Sequence, residues 1–293
     1  MHSLTNDQSL SGSSQCVTDL LESAYQRIHQ ASHSPSLDAD ILLAHVLGCN
    51  RSALKAWPDK IVSTEHKEQF DALIEKRATG KPIAYLLGSK GFWNLLVDVD
   101  EHTLVPRPET ELLVEHALKL IPENSEQVIA DICTGSGAIA FALASERPDC
   151  EVHACDIDGM ALRVANRSLA RLQLDNVAMF KGDLFSALPE DNYDLIVSNP
   201  PYIAADDQYL LHPTMQHEPR HALIAENNGL AIIEQLVSGA KTYLKPNGYL
   251  LLEHGHEQSL DIQEMAQRFG LDYQMCLQDF QALDRVSVLQ YLI

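Results

Sequence analysis

The sequence predicts an α/β protein: a mostly parallel sheet of seven strands with helices on both faces, preceded by a small helical domain. Three observations carry this. Strand and helix patterns alternate from Val128 to Leu292, apolar residues in the first third recur at helical spacing, and several predicted strands end in glycine or a carboxylate.

Residues 1–14 are polar and Ser-rich and read as a flexible tail. Residues 15–86 read as a helical domain. Its first helix is signalled by Val17, Leu20, Leu21, Tyr25 and Ile28. The second follows Ser36-Leu37-Asp38 and is stopped by Gly48, and the third runs from Thr64, with Glu65 in its first turn, to Gly80. Two roles suit this domain, a structural cap on the α/β domain and a docking surface for a substrate. Residues 87–106 include Phe92-Trp93-Asn94-Leu95-Leu96-Val97-Asp98-Val99, an aromatic and β-branched run that predicts a hairpin or extended connector. The α/β domain occupies 107–293. Pro108 suits the first turn of a helix carrying Leu112, Leu113, Val114 and Leu118. Strands are then expected at 128–131, 151–155, 177–180, 194–197, 249–253, 271–275 and 286–292. Helices are expected at 138–145, 159–172, 230–244 and 258–269.

The 293 residues include 45% hydrophobic and 21% charged side chains, a globular composition that excludes disordered and collagenous classes. Charge is divided unevenly: 8 basic and 10 acidic residues stand at or before residue 86 (net −2), against 13 and 31 after it (net −18). An acidic α/β domain lacks the basic stripe of a nucleic-acid tracker, so no direct nucleic-acid partner is expected. Six scattered cysteines without a CxxC pair, no leader-like apolar run and no membrane-length segment point to the cytoplasm.

Chemistry is expected at the strand ends, where open α/β sheets bind ligands. After the first strand stands Asp131-Ile132-Cys133-Thr134-Gly135-Ser136-Gly137. Glycines between strand and helix let a ligand approach the backbone. Gly135-x-Gly137-x-x-Ala140 followed by Asp156 also satisfies a dinucleotide fingerprint, which keeps an NAD enzyme as a rival. Asp131 weighs against it, because a carboxylate opposes a pyrophosphate but suits the ammonium and sulfonium of S-adenosylmethionine. Asp156, after the second strand, suits ribose hydroxyls, and Asp183, after the third, an adenine amino group; either residue can instead cap a helix.

After the fourth strand comes Asn199-Pro200-Pro201-Tyr202. Two prolines stiffen the backbone and remove N–H donors, leaving the Asn199 side chain and the Pro200 carbonyl as fixed acceptors for a planar NH2 group, with Tyr202 against its flat face. That arrangement suits methyl transfer to an amide or amino nitrogen. It requires no metal, and His254-x-His256 is expected as a surface pair.

These residues resemble the bacterial release factor glutamine methyltransferases. The resemblance runs nearly end to end, through Leu37–Leu43, Lys81–Gly88, Phe92-Trp93, Leu104–Leu112, the glycine loop, Asn199–Tyr202 and His217-Glu218-Pro219. It implies a Rossmann-like class I SAM-dependent methyltransferase domain, with S-adenosylmethionine as cofactor. The substrate it implies is the glutamine of the Gly-Gly-Gln motif in class 1 peptide chain release factors. Under it Asn199, Pro200, Pro201 and Tyr202 meet the glutamine, while Phe92, Arg107, Pro108 and Glu111 border the cleft. Asp131, Thr134, Gly135, Gly137, Asp156, Asp183 and Asn199 line the cofactor pocket. One departure stands out: Cys133 occupies a position where the family pattern has glycine, so the turn there is expected to be open to a non-glycine residue. Ribosomal protein glutamine methyltransferases and nucleic-acid adenine amino methyltransferases share parts of this pattern and stay as rivals.

Overall fold

The structure is a computed structural model that describes residues 15–189 and 191–292; the expected tail at 1–14 lies outside them. The chain divides into two compact units, the first ending at Leu87 and the second beginning at Gly88.

The first unit is helical: α1 (Val17–Ile28), α2 (Pro35–Val46), α3 (Arg51–Ala56), α4 (Thr64–Ala78) and α5 (Ile83–Leu87). Helical spacing puts Val17, Leu20, Ala24 and Ile28 on one buried face of α1, against Leu42, Leu43, Phe70 and Ile74. Helix starts are fixed by side chains that satisfy orphan backbone donors: Asn50 accepts from Ala53 N on α3, and Ser63 accepts from His66 N on α4. The short helices α3 and α5 escape periodicity analysis because each is under two turns long. Asp38 is buried in this unit and accepts from Arg77 Nε at 2.7 Å, so the charge is paired where water is excluded.

The second unit opens with a hairpin, β1 (Ser89–Phe92) and β2 (Leu95–Asp98), paired antiparallel in the register Phe92↔Leu95. After it, a single turn at Pro108–Thr110, with Pro108 in its first position, leads into α6 (Glu111–Leu120). Next come β3 (Val128–Ile132), α7 (Ala138–Glu146), β4 (Glu151–Asp156), α8 (Gly159–Leu172), β5 (Val177–Lys181) and β6 (Tyr193–Ser198). The chain closes with α9 (Ala231–Tyr243), β7 (Leu244–Glu253), α10 (Ser259–Phe269), β8 (Asp272–Gln278) and β9 (Asp284–Gln290).

The seven-stranded sheet has the order β5-β4-β3-β6-β7-β9-β8. Pairings from β5 through β7 are parallel, and β9 runs antiparallel to both β7 and β8. From β3 the chain steps outward to β4 and β5, then returns to the other side of β3 as β6. The carboxyl ends of β3 and β6 therefore flank the point where strand order reverses, and it is there that such sheets open a crevice. Ile129, Ala130, Ile132, Leu195, Ile196 and Val197 are fully buried, and α7 is buried along its whole apolar length, so the two strand ends project from a rigid core. Among the described residues no helix is long and apolar enough to cross a membrane.

Candidate active site

Two cavities open beside the ends of β3 and β6. The smaller, about 90 Å³, is lined by Cys133, Thr134, Gly135, Asp156, Pro201 and His221. The larger, about 600 Å³, is lined by Arg107, Pro200, Tyr202, Tyr209, Glu253 and Arg285. Leu104, Asn199 and Ala222 line both. Asn199 thus stands at the junction, immediately after Ser198, the last residue of β6 and a parallel partner of both Ile132 and Leu252.

On the smaller side the turn after β3 is held by carboxylates. Asp131 is fully buried; its Oδ2 accepts from Thr134 Oγ1 at 2.6 Å and from Ala140 N at 3.1 Å. Its Oδ1 is buried with no hydrogen-bond partner. Burial pushes the carboxyl up to about 7, against the pull of those two donors. Asp156 is likewise raised by burial; its Oδ2 accepts from Gly135 N and its Oδ1 from Asp158 N, both at 2.8 Å. The helix cap after β4 is Asp158, so Asp156 is free of that duty and faces the cavity. Gly137 starts α7 at φ +81°, beneath the turn and outside both linings.

The larger side is organised around Asn199. Its Nδ2 donates to Thr110 Oγ1 at 3.2 Å, which turns Oδ1 away as a free acceptor. Tyr202 OH donates to Glu253 Oε1 at 3.2 Å. Burial and the neighbouring carboxylate raise the phenol, so it stays protonated and donates. Arg107 Nη2 reaches Glu218 Oε1 at 2.6 Å, and the other Glu218 oxygen accepts from Val105 N. This ion pair, its carboxylate fully buried, pins the Pro106-Arg107-Pro108 segment to the loop that carries Met215 and Leu223.

Several expected residues stand elsewhere. Phe92 is buried at the end of β1, and Glu111 accepts from Trp93 N at 2.9 Å to close the hairpin turn. Pro108 is exposed, and none of the three lines either cavity. Asp183 is exposed, makes no capping bond, and lines neither cavity. Cys133 corrects the expectation for its turn: at φ +61° it holds the left-handed conformation that favours glycine, with its thiol raised by burial. His254 is not a surface residue; it is fully buried with Nε2 at 2.9 Å from Ser287 Oγ, while His256 is exposed. No group of three or more potential metal ligands occurs among the described residues. Thr110, Glu218, His221, Glu253 and Arg285 are not assigned from sequence. Glu253 carries the right signal, a carboxylate ending a strand beside the one that ends just before Asn199.

Residues 19–88 match the PrmC N-terminal domain model, and residues 108–228 the methyltransferase small domain model. A curated release factor glutamine methyltransferase from Xylella fastidiosa is 43% identical over 269 residues, 92% of this chain and 96% of the relative. That of Shewanella oneidensis is 41% identical over 275 residues, 93% and 95% of the two chains. The chain belongs to the release factor glutamine methyltransferase family. Its fold matches a solved methyltransferase from Pyrococcus furiosus at TM-score 0.50 and 21% identity, over 67% of this chain and 90% of that one.

The smaller cavity suits the S-adenosylmethionine that this fold employs. Its rim offers acceptors and backbone amides in place of cations, and the orphaned Asp131 Oδ1 lies just behind it. Pockets for small ligands run to roughly 300 Å³ or more, larger than the about 90 Å³ of this cavity.

Proposed function

We propose that this protein methylates the side-chain amide nitrogen of the glutamine in the Gly-Gly-Gln motif of class 1 peptide chain release factors. The observation that carries this reading is Asn199 at the junction of the two cavities, with its NH2 occupied by Thr110 and its oxygen left to accept.

An amide nitrogen is a poor nucleophile because its lone pair is delocalised into the carbonyl. Asn199 Oδ1 and the Pro200 carbonyl each take one N–H of the substrate amide. Both acceptors stabilise the positive charge that grows on nitrogen as the N–C bond forms and the electron pair of the methyl–sulfur bond stays with sulfur; one of the two N–H protons then leaves to water. The Tyr202 ring, tethered at its hydroxyl by Glu253, fixes the plane in which the amide lies. When bound, the cofactor supplies an electrophilic methyl group on a sulfonium. Thr134, Gly135 and Asp156 would hold it from the smaller side, where Asp156 would accept hydrogen bonds from ribose hydroxyls. The helical unit serves as the docking surface for the protein substrate, and the enzyme works in the cytoplasm on a free protein, not on nucleic acid.

Labelled S-adenosylmethionine offered with a class 1 release factor, ribosomal proteins and DNA in parallel tests the reading. Label is expected in the release factor. Label confined to ribosomal protein or to DNA moves the enzyme to a different substrate.

A further inference from the structure

Glu253 lies deep in the wall of the larger cavity, 2% exposed, at the end of β7. Because Ser198 pairs with Leu252, Asn199 and Glu253 continue two adjacent parallel strands side by side. One Glu253 oxygen accepts the Tyr202 hydroxyl; the other is buried with no hydrogen-bond partner. The Thr110 hydroxyl stands close enough to draw the carboxylate's pKa down. A threonine hydroxyl has one proton to give, and an ionised carboxylate can only accept. With Asn199 Nδ2 donating to Thr110 Oγ1, the Thr110 proton is free to turn toward Glu253.

We propose that Glu253 is a positioning residue that sets the polarity of Asn199: through Thr110 it makes the amide present its oxygen, not its NH2, to the substrate glutamine. The inference rests on the glutamine reading above. Protonated Glu253 donates to Thr110 instead, and Thr110 then donates to the Asn199 oxygen. The amide turns over and opposes one NH2 with another.

The groups facing this carboxylate are few. Arg285 on β9 favours its charged form and Glu109, one residue from Thr110, disfavours it; Tyr202 donates a hydrogen bond to it, and the nearby Thr110 hydroxyl draws its pKa down. Arg107 acts on the neighbouring Tyr202 phenol. Burial outweighs the donors and sets the carboxyl at about 7, so the switch falls within the working range of pH. Asp131 titrates in the same range, and Glu253→Gln separates the two because it leaves Asp131 in place.

The test is made on the full chain with two readouts: calorimetric affinity for a Gly-Gly-Gln peptide without cofactor, and kcat with it, each across a range of roughly pH 6 to 8.5 that brackets the carboxyl's midpoint. The wild type is expected to lose peptide affinity and kcat as pH falls through about 7. Glu253→Gln is expected to lower kcat on the alkaline side by about tenfold, the worth of one good hydrogen bond, and to flatten both profiles. Thr110→Val is expected to match that loss, with Thr110→Ser recovering most of it because the hydroxyl returns. A Glu253→Gln protein that keeps the wild-type profiles overturns the proposal, as do Thr110→Val and Thr110→Ser proteins that are equally impaired. Wild type that leaves glutamine unmethylated removes the glutamine reading and this inference together, whereas methylating wild type with unchanged Glu253→Gln profiles removes the inference alone.

Discussion

The two cavities that meet at Asn199 are built in different ways. The cofactor side is centred on one stretch of chain, the turn after β3 and the start of α7 at 133–139, and is walled by residues of 102–110, 156–161, 199–201 and 221–222. The acceptor side is assembled from distant pieces: Arg107 before α6, Asn199–Tyr202 after β6, Met215, Glu253 ending β7 and Arg285 on β9. A site centred on one local turn depends on the backbone conformation of that turn. A site made of several distant segments depends on side-chain partners that hold those segments together.

The sharpest break between the two sides is expected at Asn199 itself. Asn199→Ala removes one of two acceptors for the developing charge, so turnover should fall by about 100- to 1,000-fold. Calorimetric affinity for S-adenosylmethionine should change by no more than about fivefold, since the holding groups on that side are backbone and Asp156. A large loss of cofactor affinity would merge the two sides into one.

A pair of glycines sharpens the contrast next. A Cβ at Gly229 would lie 2.0 Å from the Tyr202 carbonyl oxygen, and one at Gly137 would lie 2.3 Å from the Phe141 ring; both positions have positive φ. Each substitution to alanine costs about 1–3 kcal/mol of backbone strain. Gly229→Ala should reduce kcat with cofactor affinity kept, and Gly137→Ala should weaken cofactor binding first. Steady-state kinetics beside calorimetry checks the pair, and identical patterns in the two variants would erase the distinction.

Asp131 produces a smaller effect. Its folded-state pKa of about 7 lies above the ordinary value of 3.8, so its contribution to stability is full below the ordinary value and is lost as pH rises through about 7. Glu253, also raised to about 7, acts with the same sign from the other cavity. Cofactor-free Asp131→Asn should therefore gain Tm over wild type between about pH 5 and about pH 8.5, by about 5 °C. An unchanged gap across that range would mean that the carboxyl ionises without penalty. Smallest of all, Cys133→Gly should stabilise the turn by about 1 kcal/mol, because glycine adopts φ near +61° freely. Denaturant melts measure it, and a destabilised variant would show that the packing of the thiol outweighs the strain.

Legibility in the sequence follows the same division. The strand-helix alternation and the acidic strand ends are readable because they are local and periodic. Asn199-Pro200-Pro201-Tyr202 is readable because two prolines restrict the backbone within four residues. Thr110, Glu218 and Glu253 go unassigned, since their roles arise from partners 89, 111 and 51 residues away. Phe92, Pro108 and Glu111 show the converse. A motif places them near the site in sequence, but the protein interior, solvent and the Trp93 backbone claim their side chains. His254 defies the surface expectation because a strand-end histidine carries no local sign of burial; Ser287, its partner, stands on the neighbouring strand β9.

The central claim is that the acceptor at Asn199 is a glutamine side-chain amide. Fragment-ion mass spectrometry of the Gly-Gly-Gln peptide from a class 1 release factor, after incubation with the enzyme and S-adenosylmethionine, tests it most directly. The account predicts a single added methyl group on the glutamine side chain with wild type, and about 100- to 1,000-fold slower appearance of it with Asn199→Ala. A methyl group elsewhere in the release factor, or an unmodified glutamine beside an active wild-type enzyme, contradicts it.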